Sequence, residues 1–108
     1  MLYISTQLYP SMLRDGESCY LTARALSVKE ARDVVEESED FVSSCSPYHD
    51  AIAAWLALEI DDKRRRFKLV PGDRLLVCSP NAGASSPSLT LRFVLYEVDE
   101  PEPEGDLL

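Results

Sequence analysis

The chain has 108 residues, 45% of them hydrophobic, with 19 acids, 11 Lys/Arg and a formal net charge of −8. That size supports one compact domain with a modest core. No apolar run approaches the roughly 18–20 residues of a membrane span, and the start of the chain lacks the basic and apolar regions of a signal peptide.

The charge is uneven. Residues 97–108 hold six acids and no base, which leaves 13 acids against 11 bases, or −2, for residues 1–96. Extended binding to duplex DNA is disfavoured, because it draws most of its strength from many Lys/Arg–phosphate contacts. A small nucleotide held by a few positive groups remains compatible with this balance.

Taken in chain order, Leu2 to Thr6 reads as a first strand, followed by a loop from Gln7 to Ser18 marked by Pro10 and Asp15-Gly16. Cys19 to Leu26 is rich in strand formers. Ser27-Val28-Lys29-Glu30 has the spacing of a capping box, serine with glutamate three residues on. Ala31, Val34 and Val35 give the helix that follows an apolar stripe, and Lys29, Arg32, Asp33, Glu36 and Glu37 its wet face.

Phe41 to Cys45 is a short extended segment leading to Ser46-Pro47-Tyr48-His49-Asp50 and the apolar run from Ala51 to Leu58. Serine is a favoured N-cap and proline a favoured first helical residue, so this segment predicts a second helix capped by Ser46. Ile52, Trp55, Leu56 and Ala53 are expected on its core face. His49, the single histidine of the chain, then falls in the first turn. There it stands beside free backbone N–H groups at the positive end of the helix dipole, a place that attracts phosphates.

Lys63 to Val70 and Asp73 to Cys78 read as two strands of a hairpin around Pro71-Gly72. On such a strand Arg64 and Arg66 point one way, Arg65 and Phe67 the other. An arginine there suits a phosphate, because its planar fork donates two parallel hydrogen bonds. Ser79 to Pro87 is a loop of small residues, Leu89 to Val98 alternates as a closing strand, and residues 99–108 form an acidic, flexible-looking tail. The expected fold is α+β, with a mixed sheet of about five strands and two main helices, in a single domain over residues 1–98.

Cys19, Cys45 and Cys78 are odd in number and lack CxxC spacing, which favours reduced, buried thiols in a cytoplasmic protein over a metal site. No Walker loop, GxGxxG, GxSxG or HExxH motif is present. Asp61-Asp62 reads as a cap or solvated pair. Tyr48 suits either stacking on a base or sealing the edge of the core.

The order of these features resembles one small family. Ser27-Val28-Lys29-Glu30-Ala31-Arg32-Asp33-Val34-Val35 is followed by Phe41-Val42-Ser43, Tyr48-His49-Asp50-Ala51, Lys63-Arg64-Arg65-Arg66-Phe67 and Pro71-Gly72-Asp73-Arg74-Leu75-Leu76-Val77. Over residues 2 to 78 this pattern is similar to that of the viral anti-CRISPR ring nucleases, found in archaeal viruses, phages and some type III CRISPR loci.

The resemblance implies a homodimer that binds cyclic tetra-adenylate, the second messenger of type III CRISPR defence, in a pocket across the two-fold axis. It implies cleavage to linear di-adenylate with no metal and no cofactor, in the host cytoplasm if the protein is viral. It assigns His49 as the general acid that protonates the departing 5′-oxygen while a ribose 2′-OH attacks, and Arg64 as a ligand contact. Thr6, Gln7 and Tyr9 fall where the family's first strand and loop meet the ligand, and Tyr48 stands beside the histidine. The alternative is a non-catalytic dimeric module that sequesters a cyclic nucleotide or regulates a protein partner. Its motive is that Ser79 to Pro87 carries no charge where the family has an arginine and a glutamate.

Overall fold

The computed structural model describes residues 1–13, 20–80 and 91–99. Its elements are β1 (Leu2–Ser5), a 3₁₀ turn (Pro10–Met12), β2 (Tyr20–Leu26), α1 (Val28–Glu37), β3 (Phe41–Ser44), α2 (His49–Leu56), β4 (Arg74–Pro80) and β5 (Leu91–Asp99). The five strands form one mixed sheet in the order β2-β5-β4-β1-β3. β1 lies in the middle of a parallel trio, with Ile4 opposite Ser43 of β3 on one side and Leu76 of β4 on the other. β5 runs antiparallel to both β4 and β2. The protein is thus an α+β domain with a five-stranded mixed sheet and two helices, as its sequence predicts.

α1 starts where the capping box places it. Ser27 Oγ accepts from the Glu30 N–H at 3.1 Å, and the Glu30 carboxylate accepts from the Ser27 N–H at 3.1 Å. These bonds hold the Glu30 carboxyl below its usual range. Ala31, Val34 and Val35 are buried against the sheet.

α2 begins differently from its predicted start. The Tyr48 N–H donates to the Cys45 carbonyl at 2.7 Å, closing a turn around Ser46 and the cis Pro47. Ser46 therefore caps nothing and Pro47 precedes the helix. Tyr48 is the N-cap, without a side-chain cap bond, and His49 is the first helical residue. Ile52 and Leu56 are fully or nearly fully buried, and Trp55 packs at the core edge with its ring centroid 6.3 Å from that of Phe93. The Trp55 carbonyl accepts from Arg32 Nε at 2.8 Å, which ties the two helices together.

Both helices cover one sheet face, burying Leu2, Ile4, Leu76, Cys78, Phe93 and Leu95. Cys45 and Cys78 are buried free thiols on this side, and burial pushes the Cys45 thiol up to about 11. The other face, with Leu75, Val77 and Val98, is covered by Met12 of the 3₁₀ turn and by Phe67 and Leu69. Phe67 stacks on Tyr3 with centroids 4.2 Å apart.

The hairpin expected from Lys63 to Cys78 is not formed. β4 already pairs with β1 along one edge and β5 along the other, so the segment before it has no free edge to join. Residues 63–70 cross the sheet face without strand pairing, and several of their backbone N–H groups find partners elsewhere. The Arg65 N–H donates to Ser44 Oγ at 2.9 Å, Leu69 to the Met12 carbonyl at 2.7 Å, and Val70 to the Asp73 carboxylate at 2.9 Å. The turn itself is present: the Asp73 N–H donates to the Val70 carbonyl at 2.9 Å, and Gly72 sits at φ +92°. Proline then glycine at the central positions, with positive φ at the second, is the pattern of a type II turn.

The boundaries shift slightly elsewhere. β1 ends at Ser5, one residue before the expected Thr6, and Ser79 and Pro80 complete β4 instead of opening a loop. Asp99 closes β5 and accepts from the Thr22 hydroxyl at 2.7 Å. Cys19, residues 14–18 of the Gln7–Ser18 loop, residues 81–90 and the tail from residue 100 lie outside the described residues. Among the described residues no helix is long and apolar enough to cross a membrane.

Candidate functional site

The three parallel strands end at one side of the sheet, and the chain leaving them walls a cavity of about 1040 Å³. Open sheets place ligands there, where neighbouring parallel strands deliver their following loops around a common hollow. β1 contributes Thr6 and Gln7, with Tyr9 beyond them. β3 contributes Ser44 and then Ser46, Pro47 and Tyr48 on the way into α2, and β4 contributes Ser79 and Pro80. The fourth wall is the irregular segment from Arg64 to Lys68.

Five residues singled out from the sequence, Thr6, Gln7, Tyr9, Tyr48 and Arg64, therefore line one cavity although they come from three separate stretches of chain. His49 is not among the lining residues. It starts α2 directly behind Tyr48, with its side chain 23% exposed and Nε2 3.5 Å from Asp50 Oδ1. Its Nδ1 is buried and has no hydrogen-bond partner.

The electrostatics of the cavity are one-sided. Among the described residues its lining holds Arg64, Arg65, Arg66 and Lys68 and no carboxylate, in a chain whose net charge is −8. Two of these four cations are engaged with the protein. Arg65 grips Asp61 through both guanidinium ends at 2.8 and 2.7 Å, and donates to the Ser43 carbonyl at 2.8 Å. The Arg65 hydrogen bonds hold the Asp61 carboxyl down at about 2. Lys68 Nζ donates to the Leu13 carbonyl at 3.1 Å. Arg64 and Arg66 make no side-chain hydrogen bond or ion pair among the described residues.

Strand alternation placed Arg64 and Arg66 on one side and Arg65 on the other. The segment is not a strand, and Arg64, Arg65, Arg66 and Phe67 all line the one cavity; what distinguishes Arg65 is its bonds to Asp61 and the Ser43 carbonyl. Sequence reasoning missed that role, although the four-residue spacing of Asp61 and Arg65 was a usable signal. It also missed the serines. Ser79 Oγ donates to the Thr6 carbonyl at 3.2 Å, and Ser44 Oγ fixes the Arg65 backbone. Ser5, opposite Ser44 in register, is fully buried with an unpartnered hydroxyl. Nothing in a run of serines marks such positions before the strands are paired.

Among the described residues no group of three His, Cys, Asp or Glu side chains is placed to hold a metal ion. No family profile matches the chain, and no curated protein matches it in sequence. Among solved structures it is similar to B116 of Sulfolobus turreted icosahedral virus, with a TM-score of 0.71 over 89% of this chain and 97% of that one, at 12% identity. The two share a fold.

Proposed function

We propose that the protein is a homodimeric ring-nuclease-like protein that binds cyclic tetra-adenylate and cleaves it without metal, switching off or countering type III CRISPR signalling. The observation that carries this reading is the cavity: Arg64, Thr6, Gln7, Tyr9 and Tyr48 gather at the carboxyl ends of parallel strands, in a lining that among the described residues has four cations and no acid. The residues that the family resemblance assigns to ligand contact are thus neighbours in space. A fold shared with a protein of an archaeal virus fits a viral setting.

In this reading the Arg64 fork binds a phosphate of the ring, and Tyr48 and Tyr9 offer aromatic faces to adenine bases. A ribose 2′-oxygen attacks the adjacent phosphorus, its proton passing to solvent, and the bond from phosphorus to the 5′-oxygen breaks. Protonated His49 supplies the proton that the 5′-oxygen takes up. The product ends in a 2′,3′-cyclic phosphate, and two such cuts give linear di-adenylates. A positioned general acid contributes roughly 10²–10⁴-fold, and an aligned 2′-OH contributes further by making the attack intramolecular.

Chromatography of cyclic tetra-adenylate after incubation with the protein tests this reading. Wild type yields linear di-adenylate, and His49→Ala slows cleavage roughly 10²–10⁴-fold while retaining the ring. Equal cleavage by His49→Ala removes the mechanism. Absence of both binding and cleavage at micromolar protein removes the function. One observation favours a second reading: His49 does not line the cavity of the single chain. If it stays apart in the dimer, the protein sequesters the ring, and intact ligand is recovered after tight binding.

A further inference from the structure

We infer that Arg66 is a second phosphate contact, so that with Arg64 it makes the cavity a receptor for a ligand carrying at least two phosphodiesters. The inference rests on the proposed nucleotide-binding role of this cavity and names what that role demands of the ligand. Three successive arginines line the cavity, but their partners differ. Arg65 is spent on the protein, bound to Asp61, to the Ser43 carbonyl and through its N–H to Ser44. Arg64 and Arg66 flank it, both line the cavity, and among the described residues no carboxylate shares that lining.

The segment that carries the pair is held along its length. Behind Arg65, the Phe67 ring stacks on Tyr3, Lys68 donates to the Leu13 carbonyl and the Leu69 N–H donates to the Met12 carbonyl. Arg64 and Arg66 are thereby presented from a fixed backbone, with Cα atoms at most about 7 Å apart. Two guanidinium groups kept this close, neither paired with a carboxylate among the described residues, repel each other, and a ligand with one phosphate for each relieves that repulsion. A nucleotide with a single phosphate leaves one fork unfilled. A chain or ring of nucleotides fills both.

Isothermal titration of the full-length protein with cyclic tetra-adenylate and, separately, with linear tetra-adenylate tests this, using wild type, Arg64→Gln, Arg66→Gln and Arg66→Lys. For whichever probe binds wild type, Arg66→Gln is expected to weaken binding roughly ten- to a hundredfold, the loss of one charge-assisted contact. The slope of log affinity against log salt becomes shallower by about 0.7, as for one phosphate contact to a single strand. Arg66→Lys keeps that slope while losing part of the affinity, which separates a lost contact from a lost fold.

Binding of the linear probe alone, with the same loss, contradicts the ring reading and leaves this inference standing. Ring binding that Arg66→Gln changes less than twofold overturns the inference and leaves the ring reading standing. Failure of both probes to bind wild type overturns both.

Discussion

Arg64, Arg65 and Arg66 show how side chains of one type take different tasks from their neighbours. Arg65 meets the Asp61 carboxylate in a two-pronged pair whose side chains are 34% and 45% exposed, so the pair orients the segment more than it stabilises the fold. Its pH dependence follows from the Asp61 carboxyl, held at about 2 in the folded chain against roughly 3.9 when unfolded. A depressed carboxyl contributes stability that is complete above the unfolded value and lost as pH falls through the folded one. The melting temperature of wild type is therefore expected to exceed that of Asp61→Ala by a constant margin above about pH 4, a margin that closes towards pH 2. A margin independent of pH down to 2 contradicts the pairing. That an arginine of this run suits a phosphate follows from residue type alone. Which arginine is engaged depends on Asp61, Ser43 and Ser44 meeting in space, and no local pattern encodes that.

At the scale of elements, the readable features were those whose causes are local. The Ser27–Glu30 capping box needs only four consecutive residues, and it is present with both bonds. The Pro71-Gly72 turn is equally local and equally present. Residues 63–70 were misread because strand formation is not local: a strand needs a partner edge, and β1 and β5 occupy both edges of β4. The start of α2 was misplaced by two residues because the Tyr48–Cys45 hydrogen bond competes with capping by Ser46. The far end of the same helix carries a testable cost. Ala57, its C-cap, is left-handed at φ 56° and ψ 46°, a conformation that costs an L-residue about 1–2 kcal/mol. Glycine avoids that cost but gives up about 0.4–1 kcal/mol through the unfolded chain. Ala57→Gly is expected to stabilise the protein by about 0.5–1 kcal/mol in denaturant unfolding. A destabilised variant contradicts the left-handed cap.

For the whole molecule, the uneven placement of charge matters more than its sum. An acidic chain of net charge −8 gathers four cations around one hollow that no carboxylate lines among the described residues. That concentration was hidden in the sequence, where Lys63 to Val70 reads as one strand of a hairpin that is not formed. The sheet makes it a site, because β1 leads Thr6 and Gln7 into the hollow, β3 leads Ser46 and Tyr48, and β4 leads Ser79. His49 is set just behind this wall at the head of α2, and in the proposed homodimer its task depends on the second copy of the chain. Native mass spectrometry of the protein mixed with cyclic tetra-adenylate reads ligand, stoichiometry and turnover together. Two 12.1 kDa chains carrying one ring, whose mass gives way with time to that of two di-adenylates, is the predicted result. Chains that stay single and free of the ring at concentrations well above micromolar contradict the account.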